Sequence, residues 1–499
     1  MLQYKRQRCA QIIILGTFLF SSCMLQPPYQ RETIDMPEQW RDEADNNSTV
    51  ANIDWWRQFG DPILNALIIE ALNDNQDLAI ATARISEYRA RLGIVNSNLY
   101  PQIGLQAFRA RQKVSQTLPE SLIFSEFINN PALGQLGRFP IYTNDFEVLL
   151  NASYELDLWG KLRSASAAAF ADLLAQVEAR STVVLSLVAA VANSYVQLRS
   201  YDQQLIISQN TYNSRMQSAQ LAQIRFKEGL TSELEVKQAE AEADEAAIQV
   251  IEFETLIEQQ ENLLCVLLGH APTCITRGKT LDTWQEVPSV PAGLPSDLLE
   301  QRPDIRQAEE QLIAANARIG EAKALFFPDI TLTGYYGFES AHLHNLFTNP
   351  SSTWQWVINL LQPIFTGGRI ANQVDLSNAV ALEAYHNYQQ VILNALREVN
   401  DALIAHRQAK RAYIVQIERV HDLEEYLKLA RIQYDNGLVD YLNVLDAERS
   451  LFRAQLDLAQ TQASIYKTLI ALYKALGGGW VIEAESLLPT DISSKHFWL

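Results

Sequence analysis

The feature that most constrains this chain is that it is written twice. Residues 221–240, LAQIRFKEGLTSELEVKQAE, align with 429–448, LARIQYDNGLVDYLNVLDAE, at an offset of 208 with 9 of 20 positions identical. The same offset pairs Gly160-Lys161-Leu162 with Gly368-Arg369-Ile370, Val191 with Val399, and Leu268-Gly269 with Leu476-Gly477. Upstream, an offset of 227 pairs Asp77 with Asp304, Arg91 with Arg318, Gly93 with Gly320, Pro101 with Pro328 and Ile103 with Ile330. The offset changes between Phe108 and Ser153, so the first copy carries an insertion there, near 113–145. Self-similarity on this scale implies one supersecondary unit built twice.

Each copy opens on a helix, 76–99 or 303–326, stopped by Pro101 or Pro328, because proline cannot continue a helix and biases its predecessor toward extended backbone. Alternation then predicts strands at about 102–111 and 146–157 in the first copy and about 329–338 and 354–362 in the second. Over 146–157, Phe146, Val148, Leu150, Ala152, Tyr154 and Leu156 share one face. Glu147, Asn151, Ser153, Glu155 and Asp157 share the other, with Leu149 the exception. Period two between a greasy and a wet face is the pattern of a membrane barrel strand. The four segments approach the 9–11 residues that a tilted transmembrane strand needs. Trp354, Trp356, Tyr335, Tyr336 and Phe338 are expected to form an interfacial belt. A two-sided sheet in a soluble domain fits poorly with strands separated by so much helix.

After the second strand of each copy comes an uninterrupted helical pattern, 161–227 and 369–436. Val184, Leu187, Val191, Tyr195 and Leu198 step by three and four residues, which is a coiled-coil seam. At a rise of 1.5 Å per residue such a helix is on the order of 100 Å long. Both break at a Gly-Leu pair, Gly229-Leu230 and Gly437-Leu438, glycine being the usual left-handed cap. Return helices follow at 232–268 and 440–476.

Four strands cannot close a membrane barrel, since the smallest have about eight, and an open edge in lipid strands backbone hydrogen-bonding groups. Subunits must therefore share one barrel. Two would give eight strands, whose interior side chains fill; three give twelve and leave a lumen. The expectation is an α+β membrane protein: a trimeric 12-stranded β-barrel continued by a long periplasmic α-helical barrel.

The N-terminus reads as an export signal over residues 1–22, with Lys5, Arg6 and Arg8 ahead of an apolar core from Ala10 to Phe20. That core is shorter than the roughly 20 residues of a membrane-spanning helix. No later segment reaches that length, which predicts no transmembrane helix. Phe20-Ser21-Ser22-Cys23 resembles a lipobox with Phe for the usual Leu, so Cys23 is the expected lipidation site and its acyl chains the expected attachment to outer-membrane lipid; a plain signal peptide with a free Cys23 is the alternative. Domain limits follow: a lipid-anchored tether at 23–54, the first repeat at 55–270, a Pro-rich connector at 271–295, the second repeat at 296–480 and a tail at 481–499.

The formal charge of −18 argues against nucleic acid as a partner. No P-loop, GxSxG, HExxH or GxGxxG is present and the seven histidines are scattered, so no enzyme activity, metal or other cofactor is expected. His342 and His344 form one close pair in a loop; Cys265 and Cys274 are either bonded or separate small residues. Glu147, Glu155, Asp157 and Asp329 are expected on wet faces, which would favour cations in a lumen.

With these residues in hand, the chain resembles the TolC-like outer-membrane factors, in particular the NodT-type lipoproteins of resistance–nodulation–division efflux systems. The resemblance rests on WWRQFGDPILNALIIEAL (55–72), QRPDIRQAEEQLIAANARIGEAKALFFPDITLTGYYG (301–337), QPIFTGGRIANQV (362–374), YDNGLVDYLNVLDAERSLF (434–452) and LYKALGGGW (472–480). It implies a homotrimer in the bacterial outer membrane with a large periplasmic portion, a periplasmic adaptor and an inner-membrane pump as partners, and passive export of drugs or other small molecules. Metal-ion export and type I protein secretion are the alternatives within this class; a channel-free coiled-coil scaffold is the alternative outside it. It also implies that the adaptor docks at the tips carrying Gly229, Leu230, Thr231, Leu234, Gly437, Leu438 and Leu442, and that Leu442, Asp446 and Arg449 form the periplasmic gate. Read without the resemblance, Asp446 and Arg449 are an i, i+3 surface pair. Gln238 occupies the position of Asp446 in the first copy, so the copies differ at the gate.

Overall fold

The computed structural model describes residues 25–31, 37, 40, 55–113, 142–284, 295 and 298–478. The signal, Cys23, most of the 23–54 tether, the heart of the insertion, part of the connector and the 481–499 tail lie outside these residues.

In order, the elements are α1 (Pro62–Asp74), α2 (Gln76–Ser97), β1 (Gln102–Lys113), β2 (Tyr142–Glu155), α3 (Lys161–Lys227), α4 (Glu233–Leu268), α5 (Leu298–Gln301), α6 (Pro303–Ala324), β3 (Asp329–Ser340), β4 (Ser352–Leu361), α7 (Arg369–Asp435) and α8 (Tyr441–Ala475). Corresponding helices match in length: 22 residues each for α2 and α6, 67 each for α3 and α7. β2 starts and ends earlier than the sequence placed it, running from Tyr142 instead of Phe146 and stopping at Glu155 instead of Asp157. α1 went unrecognised; Asp61 caps it by accepting from Ile63 N at 2.9 Å, and Pro62 stands at its first turn, where no N–H is needed.

The chain divides into two compact units that cut across the copies. The first gathers residues 1–30, 88–173 and 311–384 and contains the sheet, a meander in the order β1-β2-β3-β4 with every pair antiparallel. The register sets Leu105, Leu150, Tyr336 and Trp354 in one row, and Ile103, Ala152, Gly334 and Trp356 in another. These rows make the greasy face, on which Leu105, Trp354, Trp356, Ile358 and Leu360 are exposed. Toward the far end of that face, Arg109 lies over the Phe146 ring at 5.4 Å and Arg111 over Tyr142 at 5.3 Å; such cation–π pairs suit the edge of an apolar zone. Tyr335, expected in the aromatic belt, instead pairs with Asn151 and Gln355 on the wet face, one residue out of phase with Tyr336.

Three of the four acidic residues expected on the wet face are used where strand meets helix. Asp157 accepts from Leu162 N at 3.1 Å and Arg163 N at 3.0 Å and pairs with the Arg163 guanidinium at 2.9 Å, capping α3. Lys161 pairs with Glu155 at 2.8 Å and with Asp329 at 3.4 Å. Trp159 donates to Pro328 O at 2.9 Å and stacks on Phe327. Only Glu147 stays among other carboxylates, beside Asp145 and Glu339.

The second unit gathers residues 31–87, 174–310 and 385–499. Its core contains all five seam residues of α3, each buried. The WWRQF segment forms an aromatic wedge: Trp55 stacks on Tyr473 at 5.1 Å, Phe59 on Trp284 at 5.1 Å, and Trp284 meets Tyr466 edge-on at 4.8 Å. The Tyr195 hydroxyl donates to Asp61 at 3.0 Å and accepts from Gly278 N at 2.9 Å; burial and the Asp61 carboxylate push its pKa up. In the QRPD segment, Arg302 reaches Ala475 O at 2.8 Å, Glu398 at 2.8 Å and Asp304. It thereby satisfies a C-terminal carbonyl of α8.

One expectation changes and one open alternative is resolved. α3 does contain a window apolar enough to cross a membrane, at a mean hydropathy of 1.5, but 67% of that window is buried in the protein, as the coiled-coil seam requires. Cys265 and Cys274 are both free, the first buried and the second exposed. The Cys265 thiol bonds instead to Thr273 O at 3.3 Å.

His406 on α7 is buried, with Nδ1 3.2 Å from Thr468 Oγ1 and no partner for Nε2 among the described residues. Burial, with Lys410 adding to it, lowers its pKa to about 4. The unfolded imidazole takes up its proton near 6.5 and the folded one only near 4, so the unfolded state gains stability as pH falls through that window. Thermal denaturation should show Tm falling from pH 6.5 to 4, and His406→Gln should flatten that slope.

Candidate functional site at the hairpin tips

The helical hairpins turn on two matching caps. Gly229 and Gly437 adopt φ of 74° and 70°, backbone that glycine enters without the penalty of a Cβ. Leu230 N donates to Arg225 O at 2.8 Å and Gly229 N to Phe226 O at 2.9 Å. Leu438 N donates to Gln433 O and Gly437 N to Tyr434 O, each at 2.9 Å. Both are Schellman closures, which satisfy carbonyls that the helix end would leave open. Ser232 then caps α4, accepting from Glu235 N at 3.4 Å.

The turns leave leucines projecting: Leu230 is 77% exposed, Leu234 66%, Leu438 74% and Leu442 59%. Beneath them a polar chain ties the first-copy tip to the second. Thr231 donates to Glu235, Glu235 accepts from Tyr434 at 3.1 Å, and Arg225 bonds to the same Tyr434 hydroxyl at 3.5 Å. Tyr441 packs against Tyr434 with ring centroids 5.3 Å apart. Burial raises the pKa of both, that of Tyr441 to about 12.

The three gate candidates separate in one subunit. Leu442 and Asp446 are exposed on α8, and among the described residues Asp446 accepts only a long 3.5 Å bond from Tyr426. Arg449 does not pair with Asp446, so the simple i, i+3 surface pair is set aside. Its guanidinium crosses to Glu242 on α4, which holds its pKa up. Glu242 also pairs with Arg215 on α3 at 3.0 Å, both side chains being nearly inaccessible. Arg215 in turn donates to Glu242 O at 2.9 Å and lies 5.2 Å from the Phe452 ring centre.

Glu242, Arg215, Glu235 and Tyr434 went unread in the sequence. Sequence offered no signal that singles out Glu242, because it stands among Glu240, Asp244 and Glu245 in an alanine-rich stretch from Ala239 to Ala247, and only packing decides which of these carboxylates is buried.

Removing Glu242 leaves Arg215 buried without a counter-charge, which costs about 3–5 kcal/mol in comparable buried pairs. Glu242→Gln should therefore accelerate hydrogen exchange by about 100-fold in the adjoining turns of α3, α4 and α8. Exchange near the Trp55 wedge should stay unchanged.

Residues 67–270 and 294–478 match the family described as outer membrane efflux protein. The toluene efflux pump outer membrane protein TtgF of Pseudomonas putida is 34% identical over 472 residues, covering 92% of this chain and 95% of the relative. The cation efflux system protein CusC of Escherichia coli is 33% identical, covering 95% and 99%. The CmeC outer membrane channel of Campylobacter jejuni superposes with a TM-score of 0.84 at 27% identity over 94% of this chain and 99% of that one. The chain belongs to the outer membrane efflux protein family, a family of transport channels, and works as the outer-membrane channel component of an efflux system.

Proposed function

We propose that three copies of this chain form one exit duct for small organic molecules, anchored by lipid on Cys23 and fed by an inner-membrane pump through a periplasmic adaptor. The observation that carries the reading is the sheet. It has one greasy face, and the outer edges of β1 and β4 are unpaired among the described residues. Only closure with other copies satisfies those edges in lipid, and twelve strands rather than eight leave room for cargo. The equal lengths of the repeated helices support a quasi-sixfold helical barrel below.

The exposed Leu230, Leu234 and Leu438, with Gly229, Thr231 and Gly437 shaping the turns, are the adaptor-docking surface in this reading. Leu442, Asp446 and Arg449 form the gate. Leu442 would exclude water as a ring, and the exposed Asp446 carboxylate is available to an arginine of a neighbouring subunit or to a cation. Arg449, pulled to Glu242, ties the α8 helix to α4 within the subunit.

Organic cargo follows the relatives named for toluene and antibiotic efflux. Cations are the second reading, favoured by Asp145, Glu147 and Glu339 gathered on the sheet and by the cation-efflux relative.

Deleting the gene should lower the minimal inhibitory concentrations of solvents and antibiotics at least fourfold; a change confined to metal salts would instead select the cation reading, and no change would sink both. In planar bilayers the purified protein should conduct, and Asp446→Ala should raise its conductance severalfold; an unchanged value removes Asp446 from the gate.

A further inference from the structure

The two copies differ at a second place besides the gate. In the first unit, the residues after Cys23 run over α6. Gly320 forms a notch there: a Cβ added to it would stand 2.8 Å from Gln26 Cα, Gln26 Cβ and Ser164 Oγ. One turn earlier on the same helix, Asn316 Nδ2 donates to Pro27 O at 2.8 Å. Ser164 is fully buried, and neither its hydroxyl nor Gln26 Oε1 has a partner among the described residues, so an ordered water is expected between strap and helix. In the second unit, Arg31 continues the strap, pairing with Glu309 at 2.9 Å and Glu300 at 3.3 Å and donating to Leu299 O.

The repeat supplies a built-in comparison. Gly93 on α2 corresponds to Gly320, yet nothing lies within 4 Å of its would-be Cβ. The counterpart of Asn316 is Arg89, a long charged donor that stays exposed. Glycine is present in both copies, but only one carries the short amide and the occupied notch.

We propose that Gly320, Asn316 and Ser164 form a docking seat for the chain's own residues 25–31, which selects one of two repeat-related helices and delivers position 23 to the foot of the sheet. The positional argument is covalent. Three Cα-to-Cα steps lead from Cys23 to Gln26, a reach of about 11 Å at most. From Gly320, four helical residues lead to the end of α6 at Ala324, about 6 Å, and four more residues lead to Asp329 at the start of β3. An acyl group at Cys23 is thus confined near the barrel's lower rim instead of ranging along a loose tether. This use of the seat rests on the lipidation of Cys23 proposed above; the seat itself does not.

The test uses the full chain in outer membranes. Gln26→Cys combined with Gly320→Cys brings two Cβ atoms close enough for a disulfide after a shift of about 1 Å, and peptide mass mapping without reductant should find most of the protein crosslinked. Gln26→Cys with Gly93→Cys should give none. In a second arm, maleimide labelling of Gln26→Cys should speed up at least tenfold when Gly320→Leu fills the notch, and should not change with Gly93→Leu. Equal crosslinking in the two pairs, or equal labelling rates, overturns the seat. Intact mass of the unaltered protein reads Cys23 separately. Crosslinking without acyl mass leaves the seat standing and overturns the anchoring role; acyl mass without crosslinking overturns the seat alone.

Discussion

Backbone hydrogen bonding at the sheet is the constraint on which the rest depends. Each copy supplies two strands, and β2 of the first pairs with β3 of the second along ten residues. Each copy alone makes only a two-stranded ladder; the four-stranded sheet needs both, and compact units form across copies instead of within them. The same constraint operates at the strand ends, where backbone leaves the ladder and enters a helix. Asp157 accepts the first free N–H groups of α3, and Lys161 holds the last carboxylate of β2 and the first of β3 together. These residues bear charge because the joint has polar groups to satisfy, which is why they are not free to tune a lumen.

Helices of 67 residues raise a different problem. A coiled-coil seam supplies apolar burial but tolerates sliding, since one heptad resembles the next. The structure adds unique fasteners along the second unit. The aromatic wedge of Trp55, Phe59, Trp284 and Tyr466 has a shape that no register shift reproduces. Arg302 reaches one carbonyl at the end of α8 and one carboxylate on α7. Near the tips, Glu242 meets arginines from α3 and α8. Buried ion pairs contribute little net stability, but a mispaired one is costly, so these contacts act chiefly on register. At the tip, the same Glu242 contact places Arg449 within a subunit, while Asp446 three residues earlier remains exposed.

Much of this was legible in the chain itself. Period-two alternation located all four strands, and the absence of glycine and proline marked α3 over its full length. Gly229 and Gly437 announced the turns because left-handed backbone discriminates against every other residue. The repeat located the insertion near 113–145, though its core lies outside the described residues. Tyr335 was misassigned because composition alone suggested a belt, whereas its face depends on whether its number is odd or even in the register. The partners of Glu155, Asp157 and Asp329 were not legible, because alternation predicts which way a side chain points and not what waits there.

Sequence by itself determined the periodicities, the breaks and the duplication, since each is set by interactions between residues close along the chain. Tertiary structure alone decided partnership. Arg449 selects Glu242 over the nearer-in-sequence Asp446; Lys161 selects a carboxylate 168 residues away along with one six residues away; and of two matching glycines only Gly320 receives the N-terminal strap. The physical reason is the same in each case. A charge or a notch is local, but its partner is whatever the packing brings within about 3 Å, and local periodicity carries no record of that.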